Sequence, residues 1–369
     1  MNPAREWLDR IHALPLRGPV RIMNVCGGHE RSIGMAGLRK ALPSQIELIP
    51  GPGCPVCVCP EEDVHRAIQL ALHEAVTLLA FGDMLRVPVN VAKGEVRSLE
   101  QARASGADIR PIASPLDAVR IARQLPQRSV VLFAAGFETT TAPVAAMLAE
   151  GVPDNLSVLL SGRRTWPAVA MLLDSEQPGF DALIAPGHVS AVMGPEEWTF
   201  VVERHGLPAA VAGFTPETLL AAIYSVVRQR LDGRCFLDNC YARVVRPGGN
   251  ASARRLLETV TEIVDATWRG IGSIRHSGFA LRGAYAAQDA RIRFPRAEDL
   301  ARKRAGQMPP GCDCARVVLG NIYPNQCVLY GRACTPRHPI GPCMVSDEGA
   351  CRIWWSSGVR EPEHAATAL

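Results

Sequence analysis

No run of about 18 apolar residues occurs anywhere in the chain, so no helix is expected to span a membrane. Charge of one sign is missing too: 40 Lys and Arg stand against 36 Asp and Glu, a net of +4, with no basic block or stripe. A nucleic-acid partner is therefore not expected. Residues 1–15 lack a basic stretch leading into an apolar core, which argues against a secretory signal and for a cytoplasmic location. The Gly-rich phosphate loop ending in Lys-Ser or Lys-Thr is also absent, so nothing points to nucleotide use.

What the chain does have is cysteine, twelve in 369 residues, and clustered: Cys26, Cys54, Cys57 and Cys59, then Cys235 and Cys240, then six from Cys312 to Cys351. Without a secretory signal, clustered cysteines read as metal ligands or redox thiols rather than a disulfide scaffold.

At this length two or three domains are expected. Apolar runs at residues 20–25, 46–49, 75–81, 109–113, 129–135, 156–160, 182–185 and 209–212 read as strands, with helical patterns between them. Such alternation predicts βαβ units and parallel sheets. The expected fold is α/β, with two doubly wound parallel-sheet domains forming a cleft and a C-terminal Cys-rich iron–sulfur domain. The expected boundaries are 1–120, 121–215 and 216–369, the first two units meeting near residues 114–127. Helical patterns are read at 216–231 and 251–267. Beyond Met308, Pro, Gly and Cys dominate and periodicity fades, so this segment is expected to need a metal site for its stability.

Function in open α/β sheets collects at the carboxyl ends of strands, and several unusual loops fall there. Cys26 follows the first strand and precedes a helix, an arrangement expected to favour its thiolate; the alternative is a buried cysteine in a tight turn. His29 and Glu30 beside it could ligate, carry a proton or orient the site. Cys54-Pro-Val-Cys57 is a CxxC pair in a Gly/Pro loop, able to close a disulfide or share a metal, and expected to lie at the surface. Asp83, Glu138 and His188 each follow a further strand; singly they could be caps or buried hydrogen-bond partners, together they are expected to line one cleft. Cys327, Cys334, Cys343 and Cys351 are separated by six, eight and seven residues with Pro- and Gly-rich turns between. Zinc ribbons favour two short CxxC knuckles, missing here, so the wider spacing suits a [4Fe-4S] cluster better, with a structural zinc site as the alternative. Cys312 and Cys314, just upstream, could compete as ligands.

CGGHE at residues 26–30, GPGCPVC at 51–57, FGDMLRVP at 81–88, GFETT at 136–140, PGHVS at 186–190, WRG at 268–270 and the tail from Cys327 to Trp354 with GPCMVS occur in an order that closely resembles the HypD family. The resemblance spans nearly the whole chain. It implies a scaffold and redox catalyst for assembling the Fe(CN)2(CO) group of [NiFe]-hydrogenases, working with a small HypC-type chaperone. It also implies cyanide delivery as a thiocyanate by HypE, itself served by a HypF–HypE assembly. It implies that cargo iron is held between a chaperone cysteine and Cys26, that Cys54 and Cys57 are the redox pair, and that Cys327, Cys334, Cys343 and Cys351 bind the [4Fe-4S] cluster. His29, Asp83, Glu138 and His188 would complete the site. Two departures stand out: the family usually carries threonine where this chain has Cys59, and Cys235 and Cys240 belong to none of its motifs. A stand-alone Fe–S thiol–disulfide oxidoreductase is the rival reading, and a zinc-stabilised binding module a third.

Overall fold

Val20–Asn24 (β1) and Ile46–Pro50 (β2) bury nearly every residue, the pattern of strands covered on both faces. The computed structural model describes residues 3–175, 178–295 and 308–361. Its further strands are Val76–Phe81 (β3), Ile109–Ile112 (β4), Ser129–Gly136 (β5), Leu156–Arg163 (β6), Ala182–Pro186 (β7), Ala209–Ala212 (β8), Leu237–Asn239 (β9), Thr261–Trp268 (β10) and Gly272–Leu281 (β11). One sheet runs β2-β1-β7-β8-β9, all parallel. The other runs β10-β11-β6-β5-β3-β4, parallel from β6 to β4 and closed at one side by the antiparallel hairpin β10–β11. The expected α/β class, with two parallel-dominated sheets and a Cys-rich C-terminal region, is what the chain adopts. Among the described residues, no helix is long and apolar enough to cross a membrane.

The chain does not fill these sheets in the consecutive blocks expected. After β2 it crosses to the second sheet for β3 to β6, returns to the first for β7 to β9, and crosses again for β10 and β11. The boundary read near residue 120 falls between β4 and β5, inside one sheet. The boundary at 216 also cuts a unit, because the Pro216–Leu231 helix packs Leu219, Leu220, Ile223 and Val227 on Ile22 and Ile184 of the first sheet. Apolar periodicity identifies strands but carries no information about which strand pairs with which. A second correction concerns 251–267: the helix ends at Val260, and Thr261–Trp268 is a strand. Its β-branched Thr261, Ile263 and Val264, with one face turned to solvent, favour the extended form.

The tail is packed into the rest of the chain rather than standing apart from it. Val317, Val318, Cys343, Met344 and Ile353 are buried, and the tail shares a core with Val56, Val58, Leu78 and Phe133. Its last described helix, Ala350–Ser356, lies on the Gly27–Met35 helix, where Gly34 leaves room: a Cβ there would come within 2.6 Å of Ser357 Oγ and 2.8 Å of Ile353 Cγ2.

Candidate functional site

β1 and β2 are adjacent and parallel, with Asn24 opposite Pro50, so the loops leaving their carboxyl ends emerge side by side. Those loops carry Cys26 and the CxxC pair. The Gly27 N–H donates to the Gly53 carbonyl at 2.9 Å. A Cβ on Gly53 would lie 2.4 Å from both the Cα and the N of Cys26. Only glycine permits that approach, which explains the glycine before Cys54. A third loop closes the site from the tail: a Cβ on Gly27 would meet Glu348 Cβ at 2.5 Å. The result is a small, partly open cavity lined by Cys26, Glu30, Cys54, Cys57, Val318 and Glu348, among others.

Cys54 and Cys57 form a disulfide. Pro55 opens a one-turn helix, Pro55–Val58, and Cys54 Sγ accepts the Cys57 N–H at 3.1 Å. Both cysteines are buried, 4% and 2% exposed, so the pair is not the surface loop expected; the tail covers it. Cys26 sits before the Gly27–Met35 helix and stays partly accessible. The helix amides do not make it a ready thiolate. Burial outweighs the N–H groups of His29 and Gly28, Glu348 adds a negative charge, and the thiol is pushed up to about 12. Cys26 is thus a neutral thiol at neutral pH.

His29 is wholly buried, its Nδ1 3.1 Å from Asn24 Oδ1 and its Nε2 3.0 Å from the Ala212 carbonyl. Burial pulls it down to about 3, so the ring is neutral and its single N–H can serve one of these two oxygens, not both. The Asn24 side-chain amide donates to the Cys26 carbonyl at 3.1 Å, so the tautomer with its proton on Nδ1 orients the loop through Asn24. Glu30 is a tie between elements: Arg39 binds both its oxygens at 2.7 and 2.8 Å, and the Trp354 indole N–H donates to it at 3.0 Å. Asp83 holds the tail loop in place, accepting the Ser346 hydroxyl at 3.0 Å and the Asp347 N–H at 3.3 Å. His188 is exposed and stacks on Phe214 at 3.8 Å between centroids; the same ring contacts His29 at 4.8 Å and crowds Gly28 next to the Cys26 sulfur.

None of Asp83, Glu138 and His188 lines the cavity, so the single cleft expected of them is not formed, and Glu138 has no link to it through the tail loop or Phe214. Glu138 is fully buried in the second sheet's unit, where its carboxylate accepts the Thr165 N–H and hydroxyl, each at 2.7 Å, and caps the Thr165–Leu173 helix. Glu348, Asn24 and Phe214 are site residues that were not singled out in the sequence. Glu348 had a signal, lying five residues past the Cys343 of GPCMVS; the other two had none.

The tail gathers all six of its cysteines. Cys312 and Cys314 sulfurs are 3.4 Å apart, and Cys314 contacts Cys343 and Cys351 in turn. Cys334 Sγ accepts the Ile340 N–H at 3.4 Å. A Cβ on Gly341 would lie 2.4 Å from Cys314 Sγ and 2.5 Å from Cys312 Sγ, so that backbone is part of the sulfur group's wall. Among the described residues, no three His, Cys, Asp or Glu side chains are placed to hold one metal ion. A cuboidal cluster asks for something else: four soft thiolates spread around a core, in a dry wall. Five buried cysteines and one half-buried, drawn from loops and short helices of the tail, fit that donor set.

A model of the family described as "HypD: Hydrogenase formation hypA family" matches residues 2–358. The chain belongs to the HypD family. It is 42% identical over 345 residues to hydrogenase maturation factor HypD of Rhodobacter capsulatus, covering 92% of this chain and 90% of that one. It is 38% identical to the Azotobacter vinelandii factor (99% and 97% covered) and 38% identical to the Escherichia coli K12 factor (94% and 91%). The blocks that build the cavity are therefore HypD-family blocks.

Proposed function

We propose that this HypD-family chain serves hydrogenase maturation as the scaffold and thiol-redox catalyst on which the Fe(CN)2(CO) group is assembled. The observation that carries the reading is the cavity in which Cys26, the Cys54–Cys57 pair and Glu348 meet. Cargo iron is the substrate, bound by Cys26 together with a cysteine of a HypC-type chaperone. Binding releases the Cys26 proton, and Glu348 is the nearby carboxylate that can take it. Asn24 and His29 hold the Cys26 backbone in place while this happens.

Cyanide arrives on a HypE-type carrier as a thiocyanate. With Cys54 and Cys57 reduced, one thiolate attacks the carrier's S–CN sulfur. The S–C bond breaks, cyanide leaves to iron, and the second thiolate resolves the mixed disulfide. One thiocyanate and two thiols become one carrier thiol, one cyanide, one proton and the Cys54–Cys57 disulfide, so atoms and electrons balance. Two electrons and two protons then restore the dithiol. A [4Fe-4S] cluster held by four of the tail cysteines, with Cys327, Cys334, Cys343 and Cys351 as the set favoured by spacing, supplies one-electron redox chemistry when bound. Asp83 keeps the Ser346–Glu348 loop over the cavity.

Complementation tests the reading. In a host lacking its own HypD-family protein, Cys26→Ala, Cys54→Ser and Cys57→Ser should each leave hydrogenase immature. Cys235→Ala and Cys240→Ala, which lie outside the cavity, should restore it. Mature hydrogenase with Cys26→Ala would sink the proposal.

A further inference from the structure

Trp268-Arg269-Gly270 takes no part in the Cys26 cavity. It forms the turn between β10 and β11, and that turn is wedged between the CxxC helix and the tail. The Arg269 N–H donates to the Val58 carbonyl at 3.0 Å, just past Cys57. Gly270, at φ +70°, is pressed on the tail: a Cβ there would lie 2.6 Å from Met308 Cγ and 3.0 Å from Ala315 Cβ, the residue after Cys314.

The Arg269 side chain is entirely buried. One nitrogen, NH2, donates to Glu61 Oε2 at 3.1 Å and to the Pro88 carbonyl at 2.6 Å. Glu61's other oxygen accepts the Asn90 N–H. The remaining two nitrogens, Nε and NH1, have no hydrogen-bond partner and no access to solvent. A chain that buries a guanidinium and leaves two of its nitrogens unpaired incurs a penalty that a purely structural ion pair would not need. Pro88, whose carbonyl Arg269 binds, lines one groove with Ile340, the residue before the Gly341 that walls the Cys312 and Cys314 sulfurs. Arg163, the other buried arginine among the described residues, has its Nε, NH1 and NH2 all reaching backbone carbonyls.

We propose that Arg269 is a positioning residue for the tail's sulfur centre, a buried cation whose unpaired donors favour the electron added when the tail cysteines carry an iron–sulfur cluster. The inference rests on the cluster reading made above. Reduction adds one electron and changes no bond; in a low-dielectric wall a nearby cation and N–H donors stabilise the more negative state and raise the potential. Glu61 partly offsets that cation, so loss of Arg269 and loss of Glu61 should act with opposite signs.

The test is an anaerobic potentiometric titration of the full chain, followed by electron paramagnetic resonance of the reduced cluster, with iron and sulfide counted first. Arg269→Gln should retain the cluster but lower the reduced-to-oxidised ratio at the parent midpoint about tenfold, a fall of 59 mV for one electron. Arg269→Lys, which keeps the charge, should stay nearer the parent. Glu61→Gln should raise the midpoint. An Arg269→Gln chain with parent iron, sulfide and midpoint would overturn the proposal. Should that variant fail to fold, an unmoved or lowered midpoint in Glu61→Gln would overturn it instead. A parent chain holding no iron and sulfide refutes the cluster reading itself, whereas loaded variants with unmoved midpoints refute only the role of Arg269.

Discussion

Gly53→Ala is the substitution that most sharply tests how the Cys26 and CxxC loops meet. The added methyl would sit 2.4 Å from Cys26 Cα and N and 2.6 Å from the Val25 carbonyl carbon. These are backbone atoms, so no side chain can swing away, and ordinary contact would require the loops to part by about 1 Å. Gly53 has no left-handed backbone, so steric crowding is the whole effect. Overpacking of this kind costs about 1–3 kcal/mol. At about 2–4 °C per kcal/mol for domains of about 150–250 residues, the melting temperature should fall by about 2–12 °C. The chemical consequence should be larger than the thermal one, because the methyl separates Cys26 from the CxxC pair while leaving all three sulfurs present. A thermal melt measured beside hydrogenase maturation in complemented cells checks both. A Gly53→Ala chain with parent melting and parent maturation would refute the close approach on which the site is built.

Alkylation of Cys26 in iron-free protein should be slow at neutral pH and should rise about tenfold per pH unit toward its value of about 12, since only the thiolate reacts. Glu348→Gln removes a negative charge that helps raise the thiol, so the whole profile should move to lower pH; a profile that stays put would remove Glu348 from the site. Alanine at Cys327, Cys334, Cys343 or Cys351 should lower iron and sulfide content and destabilise the tail, whereas Cys312→Ala or Cys314→Ala that abolishes the cluster would show that the four ligands are differently chosen from the six. Cys59→Thr should be close to silent in maturation and melting: the residue is buried with its sulfur 3.6 Å from Ser161 Oγ and 3.8 Å from the Pro60 carbonyl, and a threonine hydroxyl can use both partners. Thiol trapping that finds Cys57 bridged to Cys59 would contradict the observed pairing with Cys54.

The strands were legible because each is a short apolar run closed by Gly, Pro or a polar residue, and β1 to β8 fall where such runs lie. Their grouping was not. Nothing local to Val76–Phe81 says that it pairs with Ile109–Ile112 and Ser129–Gly136 rather than with β1, because partner choice is settled by burial over distances the sequence does not display. The cavity was legible through Cys26, Cys54 and Cys57, whose chemistry is written in their residue types. Asp83 and His188 do follow strands, but Asp83 pins a tail loop and His188 stacks on Phe214, and neither lines the cavity. Glu138 looked the same in sequence and turned out to cap a helix, since a carboxylate after a strand serves either purpose. Glu348 was overlooked because it reaches the cavity only after the tail folds back across the first sheet.

The central claim is that Cys26 holds the iron on which the diatomic ligands are assembled. Infrared absorption of the complex with the small chaperone, purified anaerobically from cells making Cys26→Ala, tests it most directly, with Cys26→Ser as the variant that keeps size but replaces a soft thiolate by a poor ligand. A thermal melt of the same samples separates lost binding from lost folding. The account predicts a melt close to the parent's and no cyanide or carbonyl bands. Bands of parent intensity from a folded Cys26→Ala chain would contradict it.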